Sequence, residues 1–146
     1  MKIYLDNCAL QRPLDNKSQI RIRLEAEAIL AVIEQCHMGY IELVSSEILE
    51  LELGETPMKT RRDYGDAILD LASHYIEINT SIEHRARIFV ASGIKPLDAL
   101  HLASAEAALV DYFCTCDDRF LRRARKLDDL QTVIVTPLER SERLGD

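Results

Sequence analysis

Asp6 closes the apolar segment KIYLD, and Asp117 follows the apolar segment DYFCT, so each carboxylate stands where a buried strand gives way to a loop. Either acid can serve as nothing more than a turn or helix cap. Glu52 fits such a role less well. At about 100° per residue from Glu47 along SSEILELEL, Leu51 falls near 40°, Ile48 near 100°, Leu49 near 200° and Leu53 near 240°. Glu52 falls at roughly 140°, inside that apolar arc, while Glu50 at roughly 300° shares the polar side with Glu47. A carboxylate aimed into a packed face is costly unless it is paired, hydrogen-bonded, protonated or metal-bound. Asp98 repeats the anomaly in PLDALHLASAEAALV, where it heads a stripe with Leu102, Ala105 and Leu109. A place in the first helical turn favours an acid there but does not explain the apolar stripe. His101 beside it reads either as a satisfied interior histidine or as a group that tunes the site.

Four carboxylates from four elements would repel one another if they met with nothing between them. Hard divalent cations that prefer oxygen, magnesium or manganese, are the natural counter-charge. Such ions lower the pKa of a bound water and stabilise both oxygens of an in-line phosphoryl displacement. Chain spacing does not bring the four together; only the fold can.

The elements that must position them alternate in type. Residues 2–6 read as a buried strand, followed by a loop carrying Pro13, Asp15 and Asn16. A helix over residues 18–37 presents Ile22, Ala26, Ile29, Ile33 and Cys36 on one face and stops at Gly39. Residues 40–44 form a second strand, and a short helix follows with Ser45 or Ser46 as its N-cap, broken by Gly54, Thr56 and Pro57. Helices are then expected over residues 59–73, 82–92, 96–109 and 117–127, and strands over 75–78, 111–115 and 132–135, with a short polar tail at the end. Strands separated by helices pair in parallel through right-handed crossovers. Ligands of such sheets lie beyond the carboxyl ends of the strands, which is where Asp6 and Asp117 fall.

The bulk properties narrow the classes. A chain of 146 residues, 47% apolar and 29% charged, suits one globular domain over residues 1–146. No stretch reaches the ~18–20 consecutive apolar residues of a membrane span. Asp6 interrupts the opening apolar run, so no signal peptide is read there and a cytoplasmic location is expected. In that reducing compartment Cys8, Cys36, Cys114 and Cys116 read as small buried thiols rather than disulfides. Cys114 and Cys116 lack the two-residue gap of a zinc knuckle, and no histidine stands at matching spacing. The net charge of −7 counts against extensive nucleic-acid binding, although divalent ions on clustered carboxylates change the local charge.

KIYLDNC with Asp6, SSEILELEL with Glu52, KPLDALHLASAEA with Asp98 and YFCTCDDRF with Asp117 follow the order and approximate spacing of the acidic motifs of the PIN-domain family. Over essentially its whole length the chain resembles that family, and especially its prokaryotic VapC-type ribonuclease branch. The resemblance implies a three-layer α/β/α sandwich around a five-stranded parallel sheet. It carries the catalytic and metal-binding roles onto Asp6, Glu52, Asp98 and Asp117, with Mg2+ or Mn2+ as cofactor. It implies cleavage of single-stranded or structured RNA without a covalent enzyme intermediate, the role of toxin in a toxin–antitoxin pair, a homodimer, and a protein antitoxin as partner. Asn7 stands where the family usually has a small hydroxyl residue, and its amide can still hold a water or a carboxylate. Thr115 matches a hydroxyl the family often has two residues before the last acid. Glu47 is a rival to Glu52 if the helix starts elsewhere, and Asp118 can help or replace Asp117. Arg12 and Arg119 fall near the proposed edge as phosphate contacts. Arg122, Arg123, Arg125 and Lys126 read as an ordinary solvated helix face.

Other readings fit less well. A phospho-receiver domain needs paired acids after the first strand, an acceptor Asp after a middle strand and a late Lys. Here Asn7 adjoins Asp6, Asn79-Thr80 follows the third strand, and no Lys follows the fifth. A haloacid-dehalogenase-type phosphatase needs Asp two residues beyond Asp6, where Cys8 stands. A catalytically weak or inactive PIN module, acting as a protein- or RNA-binding domain, agrees with the acidic charge and with Asn7.

Overall fold

In the computed structural model residues 1–144 are described, with side chains through residue 140. The strands are β1 (Lys2–Leu5), β2 (Glu42–Ser46), β3 (His74–Ile76), β4 (Tyr112–Cys114) and β5 (Val133–Val135). They form one sheet in the order β3-β2-β1-β4-β5, and every neighbouring pair is parallel. The helices are α1 (Asn7–Gln11), α2 (Ile20–His37), α3 (Glu47–Gly54), α4 (Lys59–Leu69), α5 (Thr80–Ala91), α6 (Pro96–Ala107), α7 (Asp118–Ala124) and α8 (Pro137–Leu144). Among the described residues no helix is long and apolar enough to cross a membrane.

The two-residue period of a strand sends Ile3 and Leu5 to one face of the sheet and Tyr4 to the other. Ile3 and Leu5 pack with Ala9, Leu10, Ile29, Val32 and Ile68 of α1, α2 and α4. Tyr4 packs with Leu49, Ile82, Phe89, Leu102 and Phe120 of α3, α5, α6 and α7. The result is the expected three-layer sandwich. β1 is the central strand, so its carboxyl end, carrying Asp6, opens in the middle of the sheet edge.

Several local expectations are corrected. Residues 7–11, expected as loop, form α1, because the Asp6 side chain accepts the Ala9 N–H at 3.0 Å and caps the helix. The second strand begins at Glu42 rather than at residue 40: Gly39 turns with φ +84°, leaving Tyr40 exposed ahead of the sheet. α6 ends at Ala107, and Leu109 lies outside it, exposed at φ +59°, where the chain turns to drop Val110 into the core. Leu109 is therefore no part of a buried stripe with Asp98. Leu51 is also exposed, so the buried face of α3 is Ile48, Leu49 and Leu53. The supposed polar tail is α8, which packs against α2 and β5. It inserts the fully buried Arg140, whose guanidinium lies 5.0 Å from the centre of the Tyr112 ring. Sequence patterning misses it because its buried anchor is a cation.

Candidate active site

Asp6 leaves β1 with its N–H still donating to the Cys114 carbonyl, 3.2 Å, so sheet pairing holds its backbone up to the last residue. Its carboxylate is buried and accepts from Ala9 N–H and from the Cys8 thiol, both at 3.0 Å. Burial, reinforced by the neighbouring Cys8, raises the carboxyl well above the usual carboxylate range. Asp117 is placed by the same local device on β4: its carboxylate caps α7, accepting from the N–H groups of Arg119 (2.9 Å) and Phe120 (3.2 Å). The buried Thr115 hydroxyl accepts the Asp117 N–H at 3.1 Å and fixes the approach to that cap.

Glu52 is positioned by α3, whose start is set by Ser46. The Ser46 hydroxyl accepts the Leu49 N–H at 3.1 Å, and the register that follows puts Glu52 over the end of the sheet. Its side chain is 23% exposed rather than engulfed, with Oε1 3.1 Å from His101 Nε2. Asp98 sits in the first turn of α6, half-buried, without a hydrogen bond or ion pair among the described residues. Burial first, then the charge of Asp117, raises its carboxyl, and Glu52 adds to the rise, while His101 and Lys95 oppose it. The carboxylates therefore sense one another across the site.

Behind Glu52 runs a buried polar chain. The Tyr4 hydroxyl is 2.7 Å from Ser46 Oγ and 2.6 Å from His101 Nδ1. Burial pushes the Tyr4 phenol well above its ordinary pKa, so it keeps its proton. One assignment satisfies every group: Leu49 N–H donates to Ser46, Ser46 to Tyr4, Tyr4 to His101 Nδ1, and His101 Nε2–H to Glu52. A proton on His101 Nδ1 would leave either the Ser46 or the Tyr4 hydroxyl without an acceptor. We assign the neutral tautomer on that ground. His101 is thus an interior histidine with both ring nitrogens engaged, one of them on Glu52.

Asp6, Glu52, Asp98 and Asp117 line one pocket of about 330 Å³ at the carboxyl end of the sheet, together with Asn7 and His101. Glu47 is elsewhere: its carboxylate accepts the Ile78 N–H at 2.9 Å and ties α3 to the segment after β3. Asp118 is held by the two terminal guanidinium nitrogens of Arg21, at 2.7 and 2.8 Å, which lowers its pKa. Arg12, expected on phosphate, is bonded to Asp15 at 2.9 Å and to the fully buried Glu25 at 3.1 Å. Arg119 lines a cleft beside Asp98 and Asp117. Sequence reasoning gives no site role to Cys8, Gln11, Asp15, Thr56 or Arg61, which also line the pocket, nor to Tyr4 and Ser46 in their bonded chain. The available signal for Tyr4 was a phenol two residues before Asp6 on a buried strand, where its hydroxyl must find a partner.

The donor set fits a hard divalent ion. Glu52 and Asp117 each keep one oxygen without a hydrogen bond among the described residues, and Asp98 keeps both. The buried amide oxygen of Asn7 also has no partner. All are oxygen donors of the kind magnesium and manganese prefer. Among the described residues no three His, Cys, Asp or Glu groups converge on a single metal-binding point. A larger pocket of about 640 Å³ lies at the opposite end of the sheet, but its Arg85 is bonded to Glu106 (2.7 Å) and Asp129 (3.0 Å). That Arg85 is spent on two acids, whereas the smaller pocket gathers Asp6, Glu52, Asp98 and Asp117.

A PIN-domain profile matches residues 3–126. This chain belongs to the PIN-domain family. PIN domains are generally nucleases, and they generally use divalent metal ions. Among solved structures, a chain of VapBC2 from Rickettsia felis, crystallised bound to a DNA fragment from its promoter, superimposes with a TM-score of 0.62 at 13% identity, covering 93% of this chain and 98% of that one. PAE2754 from Pyrobaculum aerophilum superimposes with a TM-score of 0.54 at 14% identity, covering 99% of this PIN domain and 90% of that chain. At such identities the likeness is one of fold. No match was found among curated protein sequences.

Proposed function

We propose that this PIN domain is a divalent-metal-dependent endoribonuclease, with Asp6, Glu52, Asp98 and Asp117 holding magnesium or manganese and Asn7 completing the oxygen set. The observation that carries the reading is the arrival of these four acids, from the end of β1, α3, α6 and the N-cap of α7, in one pocket. When bound, the ion supplies the positive charge that an in-line displacement at phosphorus develops a need for. The protein supplies the rest. Asp6 and Asp117 are immobilised by the backbone N–H groups they cap. Glu52 is aimed by His101, and His101 by Tyr4 and Ser46. Asp6 and Asp98, both raised chiefly by burial, are acids whose ionised forms a cation would favour.

The same reading makes the protein the toxin of a toxin–antitoxin pair, acting on RNA in the cytoplasm as a homodimer and restrained by a protein antitoxin. The fold likeness to a chain of VapBC2 supports that role. The test is cleavage of RNA by the purified protein with magnesium or manganese, with a chelator as control. Asp98→Asn and Asp6→Asn are each expected to abolish cleavage while the far-ultraviolet circular dichroism stays as in the parent. Undiminished cleavage by both variants would remove the assigned site.

A further inference from the structure

The cations around the pocket are committed unevenly. On the flank made by α1, the start of α2 and α4, Arg12 is bonded to Asp15 and Glu25, Arg61 to Asp15 (2.9 Å), and Arg21 to Asp118 (2.7 Å). That flank is electrically closed. On the other flank, where α5 turns into α6 and faces α7, Lys95, Arg119, Arg123 and Lys126 are exposed. Among the described residues none of their side chains makes a hydrogen bond or an ion pair.

These cations also line a trough of adjoining depressions, which share residues with one another and with the acidic pocket. Asp98 and Asp117 of the acidic pocket line a narrow cleft with Lys95, Arg119 and Arg123, floored by the buried Ile94 and Phe120. Arg123 then lines a wider depression of about 440 Å³ with Lys126, walled by Ser92 and Gly93. At its far end Asp129 is tied to Arg85, while Asp128 is an acid with no bonded cation, so the basic stretch stops at Lys126. A row of unpaired cations leading out of an acidic pocket, in a chain of net charge −7, complements a polyanion with one reacting phosphodiester. The neighbouring phosphates would lie over long, exposed basic side chains, and no aromatic face is exposed there for base stacking, so the contacts would position a strand without reading its sequence.

We propose that this trough carries the phosphate backbone of single-stranded RNA, which leaves the pocket on the α7 side only, with Lys95, Arg119, Arg123 and Lys126 as sequence-independent contacts. The proposal rests on the nuclease reading above and adds the path of its substrate. It is tested with two charge-matched double variants. Lys95→Gln with Arg123→Gln removes two cations of the trough. Arg23→Gln with Arg87→Gln removes two exposed, unpaired cations that line none of these depressions. Binding of a short fluorescent single-stranded RNA is followed by anisotropy over a range of salt, with calcium in place of magnesium. At about 0.7 per phosphate contact on a single strand, the slope of log affinity against log salt is expected to fall by roughly 1.4 in the trough variant. It should stay at the parental value in the control. Equal slopes in the two variants would overturn the track, because only net charge would then matter. An effect of the trough variant on binding of polyglutamate, with RNA binding unchanged, would overturn it in favour of an acidic protein partner. A parental protein that binds RNA with the expected slope yet cuts nothing in magnesium or manganese would support the track and remove the nuclease reading.

Discussion

Replacing Tyr4 by Phe tests the positioning of Glu52 at its root, because only a hydroxyl is deleted from a side chain with no exposed surface. The ring keeps its stacked contact with Phe113, at 5.1 Å between centroids, so packing is conserved. Two hydrogen bonds vanish, at 2.7 Å to Ser46 and 2.6 Å to His101. Each contributes about 0.5–1.5 kcal/mol net, or about 1–3 kcal/mol where its loss leaves a buried partner unsatisfied. Ser46 and His101 are both buried, at 0% and 2% exposure, so neither regains a partner from bulk water. The expected loss is about 2–6 kcal/mol, a fall in Tm of roughly 6–20 °C for a domain of this size. The second consequence is local: without the Tyr4 donor, His101 is free to turn, and Glu52 loses its orientation. Thermal unfolding reads the first effect. Nitrogen-15 NMR of the imidazole reads the second, as loss of the single tautomer with hydrogen on Nε2, and RNA cleavage is expected to fall further than the folded fraction. A variant melting within about 1 °C of the parent, with the same histidine spectrum, would refute the hydrogen-bonded chain.

Three further outcomes follow from particular contacts. Because Asp98 is raised above its unfolded-state pKa, the protonated acid favours the folded state; that stability is fully present below the unfolded carboxylate value, about 3.9, and is lost as pH rises through the folded value. The ion-free protein should therefore lose stability on rising through that window, Asp98→Asn should lose less, and magnesium or manganese should raise the Tm of the parent but not of the variant in a thermal-shift assay. Glu52→Gln is expected to abolish cleavage, whereas Glu47→Gln and Asp118→Asn should retain it with a stability loss of about 1 kcal/mol or less in urea titrations; equal cleavage defects in all three would reject the division of roles. Gly65 packs α4 so closely on α3 that an added Cβ would lie 2.6 Å from Leu53 Cδ1, so Gly65→Ala should cost about 1–3 kcal/mol of unfolding free energy. A urea midpoint equal to that of the parent would show that Leu53 yields freely.

Local patterning in this chain was enough for the alternating elements and for two of the four acids as element boundaries. Asp6 and Asp117 bond to N–H groups two or three residues ahead, so their capping role is written in adjacent residues. Ser46 acts the same way, over three residues. Glu52 lines the pocket, although the apolar arc that drew notice to it rests partly on an exposed neighbour: Leu51 widens an arc that packing narrows to Ile48, Leu49 and Leu53. Local pattern could not choose between Glu47 and Glu52, or between Asp117 and Asp118, because the deciding partners are distant. Glu47 is taken by Ile78, 31 residues away, and Asp118 by Arg21, 97 residues away. Tyr4 meets His101 across the same separation of 97 residues. α8 was invisible for a related reason, since its anchor is a buried arginine that only the docked helix makes tolerable. Hydrogen bonds within a turn depend on residues that are neighbours in any conformation, so the amino-acid order determined them. Which carboxylates face the pocket, and which cations remain free to meet a phosphate, depended on partners that only the folded sheet brings within bonding distance.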